Sequence, residues 1–147
     1  MPDTDLPLYF RLFNEIGIVD QLGRARFEKR LPQGVTVSHF SVLNHLMRVE
    51  DGRTPLELAR AFQVPKTTVS HWLTGLDTLG FVNLRPNPND RRSKQVWLTE
   101  AGRAFRDKAI ADLAPDLARV KDVMDPDEVA DLVARLERLR IWLDTNR

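Results

Sequence analysis

Val64-Pro65-Lys66-Thr67-Thr68-Val69-Ser70-His71-Trp72-Leu73-Thr74-Gly75-Leu76-Asp77-Thr78-Leu79-Gly80 is followed by Phe81–Gly102, FVNLRPNPNDRRSKQVWLTEAG, and the reading of this stretch decides the fold. A helix begins after Pro65, because proline suits a first turn, where its missing N–H would be unpaired anyway. Val69, Leu73 and Leu76 recur at helical spacing as one apolar stripe, with Trp72 beside it. The opposite face carries Lys66, Thr67, Thr68, Ser70 and His71. Gly80 ends the helix. Phe81–Leu84 then alternates like a strand, and Lys94–Leu98 reads as a second. Residues 85–93 between them form a turn-rich, basic loop. A helix with a polar, cationic face followed by a basic hairpin points to nucleic acid.

Charge distribution supports that reading. The chain has 147 residues and a net charge of only +1, which by itself says nothing about partners. Residues 53–103, however, hold eight basic and four acidic side chains, a net of +4. Residues 1–52 hold six and seven, and residues 104–147 hold eight and ten. The positive charge therefore lies on the helix–hairpin segment. With 42% hydrophobic residues the chain can bury a core. It contains no cysteine, which excludes disulfides, thiolate metal sites and thiol redox sensing. His39 and His45 are six apart on one helix and so point to different faces, and His71 lies on another, so no metal set is expected. Nor does the sequence hold a nucleophile elbow, a glycine-rich phosphate loop or an acid–base pair, so neither an enzyme nor a cofactor is expected. The N-terminus lacks a signal-peptide pattern and no run reaches membrane-spanning length, so a cytoplasmic protein is expected.

Around the central stretch the chain reads as helices. Met1–Pro7 is polar and expected to be mobile. Leu8 to about Arg30 is a long helix with Leu8, Leu12, Ile16, Val19 and Phe27 in a stripe and Phe10 and Phe13 beyond it. Such a stripe suits either a core helix or a dimer helix. The latter is favoured, since one small domain offers too few partners for so much apolar surface. Thr36 can cap a second helix, running to about Val49 with Phe40, Leu43, Leu46 and Met47 inward. Thr54, Pro55 and Glu57 form a capping box for a short helix carrying Leu56, Leu58, Ala59 and Phe62, and Gln63-Val64 is the turn that follows. After the hairpin, Thr99 caps a long helix in which Gly102 permits a close approach and Pro115 is expected to kink the run or shift its register. Asp125-Pro126 opens the last helix, where Val129, Leu132, Leu136, Leu139 and Leu143 alternate at three and four, the pattern of a helix–helix seam.

The central motifs resemble the winged helix-turn-helix domain of the MarR family of bacterial transcription regulators. That family shows Asp-x-Arg in the wing, here Asp90-Arg91-Arg92, and then Leu-Thr-x-x-Gly, here Leu98-Thr99-Glu100-Ala101-Gly102. Its Leu-x-x-x-Gly-hydrophobic-Val motif matches Leu76–Val82. The resemblance implies a mainly α fold with a small β-hairpin wing. It divides the chain into an N-terminal dimerisation helix (1–34), a DNA-binding domain (35–103) and C-terminal dimerisation helices (104–147). It implies a homodimer on double-stranded DNA, with the helix beginning at Lys66 in the major groove and Arg92 in the minor groove. Thr54, Lys66, Thr67, Thr68, Ser70, His71, Arg85, Asp90, Arg91, Arg92 and Lys94 are the candidate DNA-binding residues. Ser70 and His71 stand where the family commonly has Thr-Arg, and Gly75 stands where it often has a cation. Histidine lacks the bidentate fork that reads guanine. The family often binds small aromatic or phenolic acids where dimer helices meet the DNA-binding lobe. Phe10, Phe13, His39 and Phe40 lie in elements suited to such a pocket, though core packing is the better explanation for the phenylalanines. The expected function is a DNA-binding repressor released by a ligand. The alternative is a winged-helix protein-interaction module that does not bind DNA.

Overall fold

The structure, a computed structural model, describes residues 3–147; Met1 and Pro2 lie outside it. The elements are α1 (Leu6–Arg30), α2 (Val37–Arg48), α3 (Pro55–Phe62), α4 (Lys66–Thr78), β1 (Val82–Asn87), β2 (Asp90–Leu98), α5 (Glu100–Asp112), α6 (Ala114–Ala118) and α7 (Pro126–Thr145). The stretch expected to be mobile is helical from Asp3 onward. A 3-10 turn over Asp3–Asp5 leads into α1, and Pro7 stands in that helix's first turn, where its missing donor costs nothing.

The helix starts follow local chemistry. The Thr54 hydroxyl accepts from the Glu57 N–H at 3.2 Å, and the Glu57 carboxylate accepts from the Thr54 N–H at 3.0 Å. This hydrogen bond from the Thr54 backbone is the main cause holding the Glu57 carboxyl below the usual glutamate value. Thr36 caps α2 in the same way, with His39 as the reciprocal partner: its Nδ1 accepts from the Thr36 N–H at 3.0 Å. Asp125 and Glu128 make the third such box, at α7. Pro65 is the residue before α4 rather than its first turn, and Lys66 begins the helix. Gln63 adopts a left-handed conformation (φ 54°) and makes the sharp turn from α3 to α4.

The chain packs as two units, one ending at Ala111 and one spanning Asp112–Arg147. The first unit takes in α1 and all of α5 but its last residue, together with the winged-helix segment. The first unit has its core where α2, α3, α4 and the hairpin meet. Val42, Leu43, Leu46, Leu58, Ala59, Val69, Leu73, Leu76, Val82, Val96 and Leu98 are buried there. Truncating one of the fully buried leucines in such a core costs about 2–5 kcal/mol. Leu56, at the start of α3, is 45% exposed. A second, smaller cluster joins Leu31, Val35, Val37 and Ala109, with Phe27, Phe40 and Phe105 packed on it. Gly102 starts α5 against the hairpin: a Cβ there would fall on the carbonyl oxygen of Phe81. Thr99 caps α5 as expected, its hydroxyl accepting from the Gly102 N–H and donating to the Gly80 carbonyl.

In the second unit, α5's last residue leads to a break rather than a kink. Leu113 separates α5 from α6, and Pro115 falls in the first turn of α6, where it is tolerated. A 3-10 turn over Arg119–Asp122 precedes α7. In α1 and α7, both described throughout, no residue is buried.

Candidate nucleic-acid interface

The hairpin is longer than its sequence suggests. β1 and β2 pair antiparallel with Val82 opposite Leu98, Leu84 opposite Val96 and Pro86 opposite Lys94. The register shifts after Pro86, so that Asn87 faces Asp90 across the tip. Residues 85–93, expected to form a loop, are thus mostly strand. Arg85, Asp90, Arg91 and Arg92 project from a ladder, not a free turn. Its tip is tied internally. The Asn87 side-chain amide donates through its nitrogen to the Ser93 hydroxyl at 3.0 Å, and its Oδ1 accepts from the Asn89 N–H at 3.0 Å. Asp90 Oδ1 accepts from the Arg92 backbone N–H at 2.9 Å and pairs with the guanidinium Nε at 3.4 Å. The Arg92 side chain is 93% exposed. A surface pair of this kind contributes about 0–1 kcal/mol, so it orients the arginine more than it stabilises the fold.

An open groove of about 680 Å³ runs between this wing and the α3–α4 pair. Thr54, Lys66, Ser70, Asp90, Arg92 and Lys94 line it together. Six candidate residues from three elements, the start of α3, α4 and β2, therefore share one surface, and three of them are cations. The helical period explains α4's share. Ser70 follows Lys66 by four residues, and Leu73 and Thr74 follow Ser70 by three and four, so one stripe faces the groove. On β2, Lys94 lies on the same side as Val96 and Leu98, opposite Pro86 on the paired strand.

Five candidates lie elsewhere. Arg85 alternates to the other face of the hairpin and stands over the Trp97 ring, 5.6 Å from its centre. This is a cation–π contact that holds the guanidinium away from the groove. Thr67 and His71 are exposed on α4 beside the groove, Thr68 is half-buried, and Arg91 is exposed on β2. The groove also recruits residues the sequence reading passed over, among them Leu56, Thr74, Asn87 and Ser93. Thr74 was detectable, being one turn beyond Ser70; its hydroxyl donates to the Ser70 carbonyl at 2.9 Å. Asn87 and Ser93 carried no periodic signal, because the bulge sets their orientation.

Neither core cluster gathers the four pocket candidates. Phe10 and Phe13 are 70% and 50% exposed on α1 and belong to neither core cluster. Phe40 packs edge-to-face on Phe27, ring centres 4.6 Å apart. His39 is buried and committed to the α2 cap.

A supporting helix, a second helix set on it by a left-handed turn, and a basic two-stranded wing define a winged helix-turn-helix protein. A sequence profile of the MarR family matches residues 33–93. The HTH-type transcriptional repressor YetL of Bacillus subtilis (strain 168) is 30% identical, over 76% of this chain and 70% of that protein. The chain belongs to the MarR family of transcription regulators, proteins that are not enzymes. Wild-type apo MarR from E. coli superposes with a TM-score of 0.75 at 29% identity, over 87% of this chain and 95% of that one. A mutant MarR from E. coli complexed with operator DNA gives 0.71 at 29%, over 88% and 93%. A MarR regulator from Methanosarcina mazei Go1 shares the fold at 0.82 and 22% identity, over 92% and 98%. Among the described residues no helix is long and apolar enough to cross a membrane.

Proposed function

We propose that this chain is a cytoplasmic, homodimeric repressor that binds a near-palindromic operator and is released by a small aromatic or phenolic acid. The observation that carries the DNA reading is the groove in which Lys66, Ser70, Arg92 and Lys94 face one another across α4 and the wing. α4 enters the major groove, Thr54 at the start of α3 and the nearby cations hold phosphates, and Arg92 reaches the minor groove. A narrow minor groove concentrates negative potential and favours a guanidinium. The relative complexed with operator DNA supports the same reading.

The dimer is supported by α1 and α7. Leu8, Phe10, Phe13 and Val19 on the first, and Val133, Ile141 and Trp142 on the last, are at least half exposed or close to it. Such apolar surface is covered by a second copy at lower cost than by water. Two copies of α4 then enter successive major grooves about 34–36 Å apart. The ligand reading rests on the family alone.

Gel shift and footprinting on DNA upstream of the protein's own gene test the proposal, repeated across salt concentrations and with small aromatic acids. Lys66, Arg85, Arg91, Arg92 and Lys94 offer at most ten cations per dimer, so the slope of log affinity against log salt is no steeper than about −9. A slope near zero would falsify the phosphate grip. Sedimentation at micromolar concentration tests the dimer, and a clean monomer removes it together with the palindrome.

A further inference from the structure

Asp51 lies in the turn between α2 and α3, and its carboxylate binds three separate pieces of the first unit. Oδ1 accepts from the Leu98 N–H at 3.0 Å and from the Gly52 N–H at 3.0 Å. Oδ2 pairs with the Arg103 guanidinium at 3.0 Å. Leu98 ends β2 and Arg103 is in the first turn of α5. The side chain is 20% exposed, so it is largely withdrawn from the solvent that weakens surface pairs.

The backbone beside it is bound to the same strand. The Gly52 N–H donates to the Val96 carbonyl at 3.0 Å, and the Val96 N–H donates to the Arg53 carbonyl at 2.8 Å. Gly52 can have no side chain, since a Cβ there would strike the Trp97 ring. Residues 51–53 are therefore clamped along the base of β2. The next residue, Thr54, caps α3 and lines the groove. The far end of β2 carries Asp90, Arg92 and Lys94. A two-stranded ribbon is marginally stable alone, so its direction depends on what holds its base.

We propose that Asp51 is a positioning residue for the wing. It sets the angle at which Arg92 and Lys94 face α4 by locking the base of β2 to the start of α3 and to α5, without itself lining the groove. This rests on the reading of the groove as the DNA-binding surface.

The test uses the full-length chain and a duplex carrying its own footprinted upstream site. Asp51→Ala is expected to lower affinity about ten-fold or more and to make the salt slope shallower, because wing cations leave their phosphates. In that background Arg92→Ala is expected to cost far less than in the wild type, since an arginine already out of place has little left to lose. Asp51→Asn, whose side-chain oxygen still accepts from both N–H groups, is expected to recover most of the affinity. Losses that multiply in the double variant, or an unchanged salt slope, overturn the inference. If Asp51→Ala does not fold, Arg103→Ala removes only the α5 arm, and the same pair of measurements decides. Wild-type binding by Arg92→Ala overturns the groove reading itself.

Discussion

The His39 imidazole occupies the space that a side chain at residue 75 would need. Nε2 lies 2.8 Å from where a Cβ on Gly75 would stand. The position where the family often carries a cation is here turned towards α2, and the groove stripe passes through Thr74 instead. An alanine is a better helix former than glycine by about 1 kcal/mol. Gly75→Ala is expected to forfeit that gain because His39 is held by its cap and cannot move freely. In a His39→Ala background the same change is expected to stabilise by about 1 kcal/mol. Thermal unfolding of the four variants checks this, and simple additivity would exclude the contact as the cause.

Arg92→Ala is expected to weaken DNA binding roughly ten-fold or more while leaving the melting temperature within a degree or two, because an exposed side chain contributes little to folding. Titration of a footprinted duplex, with circular dichroism alongside, measures both. Unchanged affinity with intact helicity would rule out the wing contact.

Stability is expected to fall in mild acid. Burial, and after it the charge of nearby His71, hold His39 below the ordinary histidine value of 6.5. Its Nδ1 must stay free of a proton to accept from Thr36, which leaves the ring neutral. A base whose folded value is lowered binds more protons when unfolded. Its contribution is therefore complete above about pH 6.5 and is lost as pH falls from there towards the folded value. His45 shifts in the same direction, through burial and then Arg53 and Arg48. His39→Gln keeps a side-chain acceptor at the cap without the titration. Melting curves between about pH 7.5 and pH 5 should show a smaller loss for this variant, though not none, because His45 remains. Equal losses in variant and wild type would assign the acid sensitivity elsewhere.

Gly102→Ala is expected to destabilise by about 2 kcal/mol or more, since the new methyl meets the Phe81 carbonyl and backbone must shift to admit it. Chemical denaturation measures the loss. A change below about 0.5 kcal/mol would mean that α5 and the hairpin do not meet as closely as described.

The sequence by itself determined the elements whose causes are local. Thr54 with Glu57, Thr36, Thr99 and Asp125 cap helices through side chains three residues from the N–H groups they serve, so the pattern is readable along the chain. The Val69–Leu73–Leu76 stripe and the Asp90–Arg92 pair are local in the same sense. Tertiary structure decided what depends on distant partners. Asp51 has no periodic signal, because the groups it binds arrive from β2 and α5. Arg85 and Lys94 are both hairpin cations, and only strand register sends one to Trp97 and the other to the groove. Gly75 reads as a missing cation until α2 folds across it and brings His39 to its face. A side chain's chemistry is written in its own residue, but the direction it faces is set by contacts that the chain makes only once folded.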